Sequence, residues 1–128
     1  MPVRTGVRAR LEHVVTSDDT ALALGTGDVP VLATPRVVQL CDQAAFTAAA
    51  SALDDGSTTV GMKVQLDHLA PCPVGTSVVA EATVEKVSGR RISLTVSLTD
   101  ERGLVAVGRV TRVIVDAAEF LARANGTV

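Results

Sequence analysis

Apolar and polar positions repeat along this chain with two different periods, and the switch between them divides it into elements. Residues 6–15 (GVRARLEHVV) set Val7, Ala9 and Leu11 against Arg8, Arg10 and Glu12, the period of a half-buried strand. Residues 17–33 lose that pattern. Gly25, Gly27 and Pro30 mark them as an irregular loop with a short helical turn at its start. From residue 34 to 53 the period lengthens, and Val37, Leu40, Cys41, Ala44, Ala45, Ala48 and Ala52 recur at helical spacing. Thr34 is expected to cap this helix and Pro35 to occupy its first turn, with Asp54, Asp55 and Gly56 ending it.

Alternation then returns. Residues 58–69 place Val60, Met62, Val64 and Leu66 against Gly61, Lys63, Gln65 and Asp67. A loop follows whose Pro71 and Pro73 cannot pair in a ladder. Residues 76–87, 91–99 and 104–115 read as three more strands, joined by tight turns at Ser88-Gly89 and at residues 100–103. Residues 116–124 form a last helical segment with an Asp cap. One greasy helix ahead of a four-stranded meander has an economical burial solution, in which the sheet curls around the helix. The expectation is an α+β chain of the hotdog layout, an antiparallel sheet wrapped around one long central helix. At 128 residues this makes one domain, 1–128.

Composition narrows the function. Aromatics are only 2% against 47% hydrophobic residues, so the core must come from Val, Leu, Ile and Ala. Few large anchors make burial against a second copy attractive, and a homodimer is expected. A net charge of −2 with no basic run argues against nucleic acid. No apolar stretch reaches the roughly 20 residues of a membrane helix, so no membrane partner is expected. The first residues lack a signal peptide's apolar run, and Cys41 and Cys72 have no metal-ligand spacing. A cytoplasmic protein with two free thiols and no metal follows.

Three residues stand out for chemistry. Asp42 lies about 100° from Cys41, at the edge of the helix's apolar stripe. Burial there requires a partner, and a solvent-facing acid is the alternative. His68 shares a face with Leu66 and Val64 and points inward, where a structural histidine is commoner than a catalyst. His13 shares its face with Leu11 and Val15 and reads as structural. Thr34 stands at a helix start, where free N–H groups and the dipole suit a carbonyl oxygen.

The joint spacing of these residues carries more. The runs VLATPRVVQLCDQAA, TVGMKVQLDHLAPCPVGTSVVAEATV and GRRISLTV resemble the fluoroacetyl-CoA thioesterase family of hotdog enzymes, over roughly residues 31–120. The resemblance implies an acyl-CoA thioesterase that releases CoA and a small free acid, without cofactor, from a site at a dimer interface. It places Thr34, Asp42 and His68 on the catalytic trio, Gly61 on a backbone position lining the acyl site, and Arg112 on a basic position that contacts CoA. The chain departs from the family's pattern twice. Asp42 stands where the fluoroacetyl-CoA enzyme has Glu, and residues 17–33 contain no aromatic to close over the acyl group. Asp42 is then either the nucleophile or the base for water. A non-catalytic acyl-CoA-binding hotdog protein is the competing class.

Overall fold

The computed structural model describes residues 3–51 and 53–126. Five strands make one antiparallel sheet: β1 Arg8–Val14, β2 Ser57–His68, β3 Ser77–Ser88, β4 Arg91–Asp100 and β5 Gly103–Asp116. The long helix, here α2, runs over Thr34–Ala50 and touches every strand, so the sheet wraps around it as the hydrophobic pattern requires. Two short pieces occupy the loop before it, a 3-10 turn at Ser17–Asp19 and α1 at Ala21–Leu24. After the sheet comes α3, Ala117–Ala124, capped by the Asp116 carboxylate, which accepts the Glu119 N–H at 2.9 Å.

The core is aliphatic. Val37, Leu40, Cys41, Ala44, Ala45, Ala48 and Ala49 of α2 are buried, joined by Val78, Ala80, Ala82 and Val84 of β3 and Ile92, Leu94, Val96 and Leu98 of β4. Small alanines let the helix axis approach the sheet, and close packing replaces the missing aromatic bulk. Ala49 joins the apolar stripe, whereas Ala52 lies outside the described residues.

Three local expectations change. Ala33, not Thr34, is the N-cap of α2, and it makes no side-chain cap bond. Thr34 is the first helical residue, and its hydroxyl is free for other work. Strands β3, β4 and β5 form a meander, but β2 pairs with β5 instead of β3, giving the order β1-β3-β4-β5-β2. Pro71 and Pro73 prevent a hairpin between β2 and β3. Their connection instead runs beside the loop that leads into α2, where Leu32 N–H donates to Cys72 C=O at 2.8 Å.

The third change is a bulge in β2 between Gly61 and Lys63. An extra residue flips the side-chain parity. Thr59 and Gly61 therefore face α2 ahead of the bulge, and Val64, Leu66 and His68 do so after it. Met62, expected on the inner face, is 50% exposed. Further along, β2 and β5 meet backbone to backbone at Gly108, where a Cβ would stand 1.9 Å from the Gln65 carbonyl oxygen. Among the described residues no helix is long and apolar enough to cross a membrane.

Candidate active site

Two clusters hold the residues singled out from the sequence. In the first, Thr34 Oγ1 and His68 Nδ1 are 2.7 Å apart. Helix α2 presents Thr34 at its first turn, and β2 presents His68 at its last position. Thr34 is exposed and His68 half-buried. The other ring nitrogen of His68, Nε2, is shut off from solvent and has no hydrogen-bond partner among the described residues.

The second cluster is an ion pair. Arg112 of β5 donates from Nη1 to Asp42 Oδ1 at 2.5 Å, from Nε to Thr59 Oγ1 at 2.9 Å, and from Nη2 to the Thr59 carbonyl at 3.0 Å. The planar guanidinium suits this fork, since three donors of fixed geometry serve two residues. Phe46, one helical turn beyond Asp42, lies 5.4 Å beneath the guanidinium carbon. Gly61 opens the space beside the pair: a Cβ there would stand 3.6 Å from Arg112 Nη1 and 3.7 Å from Asp42 Oδ2. Arg112 thus secures one carboxylate oxygen while the glycine leaves room at the other. The family resemblance puts Arg112 on CoA. Here its guanidinium turns inward with the side chain only 8% exposed, whereas Asp42 is 34% exposed.

The resemblance groups Asp42 and His68 in one catalytic trio. Among the described residues no hydrogen bond or ion pair joins their clusters. Thr34 and Asp42 are eight residues apart on α2, about 12 Å of axial rise. His68 closes β2 and Gly61 lies seven residues earlier, roughly 23 Å along the strand.

A buried group that sequence reasoning missed lies against the start of α2. Asp19, 5% exposed, accepts from His13 Nε2 at 2.8 Å, from the Thr16 N–H at 2.7 Å and hydroxyl at 3.1 Å, and from Arg36 Nε at 2.8 Å. Burial alone would raise its pKa. The hydrogen bonds from Thr16, His13 and Arg36 outweigh that and hold the carboxyl far below the usual range. Its backbone carbonyl also accepts the Ala33 N–H at 2.9 Å, so Asp19 ties β1 and the loop to the first turn of α2. The sequence signal was Thr16 three residues before Asp19, the spacing of a capping box. Cys41 has no such role. Burial, and then the neighbouring Asp42 charge, push its thiol up to about 11, so it stays protonated.

A family model described as fluoroacetyl-CoA-specific thioesterase matches residues 15–118. The fluoroacetyl-CoA thioesterase of Streptantibioticus cattleyicolor is 31% identical over 93 residues, 73% of this chain and 67% of that protein. A solved structure of fluoroacetyl-CoA thioesterase superposes with a TM-score of 0.91 at 27% identity, covering 100% of this chain and 99% of the other. A thioesterase-superfamily member from Thermus thermophilus does so with a TM-score of 0.89 at 31% identity, covering 97% and 92%. Fold and relatives together define a thioester hydrolase of the hotdog class. Within that class, the chain belongs to the fluoroacetyl-CoA-specific thioesterase family.

Proposed function

We propose that this protein hydrolyses small acyl-CoA thioesters as a homodimer with composite sites. Thr34 and His68 come from one subunit; Asp42, Arg112 and Gly61 come from the other. The observation that carries this reading is the separation of the two clusters along β2, which is an edge strand. Antiparallel pairing of two β2 edges about a two-fold axis near Val64 and Gln65 brings His68 of one copy beside Gly61 of the next. The edges differ in ways that support this choice. The β1 edge carries Arg8, Arg10 and Glu12, which discourage pairing, whereas Met62 and Val64 of β2 and Phe46 of α2 stand exposed along the other side.

The chemistry follows from the two half-sites. A thioester needs its carbonyl polarised and a nucleophile delivered to the carbon. The Thr34 hydroxyl, at the positive end of the α2 dipole, supplies a hydrogen-bond donor for the oxygen that becomes negative. Asp42, with Oδ1 held by Arg112, delivers Oδ2 either to the carbonyl carbon or to a water that attacks it. In the direct route the C–S bond breaks as an Asp42–acyl anhydride forms, the thiolate takes a proton from solvent, and water then opens the anhydride. In the other, Asp42 takes a proton from the attacking water and passes it to sulfur as the C–S bond breaks. Both yield CoA thiol and the free acid. The gap beside Gly61 takes the acyl group. A thiol-release screen over acetyl-, fluoroacetyl-, longer-chain and aryl-CoA, with sedimentation on the same samples, tests this. Turnover of the small thioesters by a dimer is expected. A monomer at micromolar concentration, or binding of acyl-CoA without thiol release, contradicts it.

A further inference from the structure

We infer that in the Thr34–His68 hydrogen bond the imidazole is the donor, so Thr34 keeps its proton and offers it to the thioester oxygen instead of attacking the carbonyl. This rests on the proposed thioesterase reading for its substrate, but the direction of the bond is a property of the resting protein.

The separation Oγ1···Nδ1 of 2.7 Å is compatible with either direction. The second ring nitrogen decides between them. A neutral imidazole carries one N–H and one bare nitrogen. If Thr34 donated to Nδ1, the ring's proton would sit on Nε2, which is buried and has no partner among the described residues. A buried N–H without an acceptor is among the rarest features of folded proteins, and an unsatisfied acceptor is less costly. The lower-energy tautomer therefore has the proton on Nδ1, pointing at Thr34 Oγ1. Nε2 is shielded by the protomer's own atoms, so neither a substrate nor a second subunit reaches it without rearrangement.

The consequence reaches the chemistry. With Nδ1 already protonated, neutral His68 has no lone pair facing Thr34 and does not deprotonate it. Oγ1 accepts the imidazole N–H with one lone pair, and its own O–H turns to the exposed side. There it stands at the first turn of α2, at the positive end of the helix dipole. Donation from His68 polarises that hydroxyl and strengthens it as a donor. Thr34 is thus a catalytic hydrogen-bond donor to the developing oxyanion, and His68 is a positioning residue that acts through it. No proton leaves either residue in the cycle.

Long-range 1H–15N correlation spectra of histidine-labelled wild-type protein read the tautomer with no substrate present. The expected result is a protonated Nδ1 and a bare Nε2 for His68; a protonated Nε2 with a bare Nδ1 overturns the inference. Kinetics give a second, independent reading. In His68→Asn the side-chain amide nitrogen takes the place of Nδ1 and can donate, but it is never a base. Its kcat should stay within about 10-fold of wild type, while His68→Ala falls by ~10²-fold or more. Thr34→Ser should keep most activity, and Thr34→Val should lose it mainly in kcat. An Asn variant as dead as the Ala variant, with both folded by circular dichroism, overturns the inference too. Absence of thiol release by the wild-type protein would sink the functional reading instead, leaving the spectrum to decide the tautomer.

Discussion

Arg112 separates two accounts of the second cluster, and Arg112→Met is the sharpest test of it. The substitution keeps the apolar stem but removes the donors to Asp42 Oδ1, Thr59 Oγ1 and the Thr59 carbonyl. Thr59 is 4% exposed, so its acceptors cannot turn to water, and leaving them unpaired costs about 1–3 kcal/mol. Asp42 is 34% exposed and regains hydration, so losing its counter-ion adds less than the ~3–5 kcal/mol of a fully buried pair. A total loss of about 2–4 kcal/mol in denaturant unfolding is expected. The kinetic signature matters more. If Arg112 acts by holding Asp42, a carboxylate freed to wander by ~1 Å loses about 10²-fold in kcat while KM changes little. Arg112→Lys should fall between, since an ammonium reaches Asp42 but cannot also fork to Thr59. A tenfold rise in KM with kcat intact would refute this reasoning and return Arg112 to the CoA-contacting role that the family resemblance implies.

Four further outcomes follow from the same geometry. Gly61→Ala makes only ordinary contacts at 3.6 and 3.7 Å, so stability should change by less than ~1 kcal/mol while thiol release falls about tenfold. Gly108→Ala drives a methyl to 1.9 Å from the Gln65 carbonyl and should cost ~3 kcal/mol or more; a Gly108 variant as stable as the Gly61 variant would contradict the β2–β5 register. Asp19→Asn should lose about 3–5 kcal/mol at neutral pH. Because the folded pKa of Asp19 is depressed, that advantage of the wild type is present above the ordinary value of 3.8 and shrinks as pH falls below it, by ~1.4 kcal/mol per unit. A gap that stays flat from pH 5 to pH 3 would mean that the charge of Asp19 is not its source. For specificity, the loop offers Leu22, Leu24 and Val29, all largely exposed, where an aromatic would close rigidly. One substituent in an aliphatic pocket is worth ~1–3 kcal/mol, so kcat/KM for fluoroacetyl-CoA over acetyl-CoA should not exceed about 200-fold; a preference of many thousandfold would refute the argument from the lid.

How much of this was legible depended on whether each feature lives in local periodicity. The helix at Thr34–Ala50 and all five strands follow from spacing, because burying one face imposes that spacing directly. Strand partners do not. Nothing local to residues 57–68 says that β5 and not β3 lies beside them, and only the prolines of the following loop hint at it. The bulge at Gly61 was invisible for the same reason: alternation of Val60, Met62, Val64 and Leu66 looks unbroken on paper, yet the parity flips in its middle. Thr34, Asp42 and His68 stood out by type and spacing. Their grouping did not, since Asp42 meets Arg112 across 70 residues and the separation of the two clusters exists only in three dimensions. Asp19 was hidden most deeply, as an acid in a run that reads as loop. Its burial comes from His13, Thr16 and Arg36 closing around it.

The composite site is the central claim, and subunit complementation tests it most directly. Asp42→Asn removes the attacking or proton-accepting oxygen, and His68→Ala removes the support of Thr34, so each variant alone should release almost no thiol. Mixed under conditions that allow subunit exchange, half of the random pairs combine the two variants, and each such pair holds one intact site. The account predicts recovery of about a quarter of wild-type activity. A mixture that stays inactive although mixed dimers are detected would contradict it, as would either variant hydrolysing thioesters at the wild-type rate on its own.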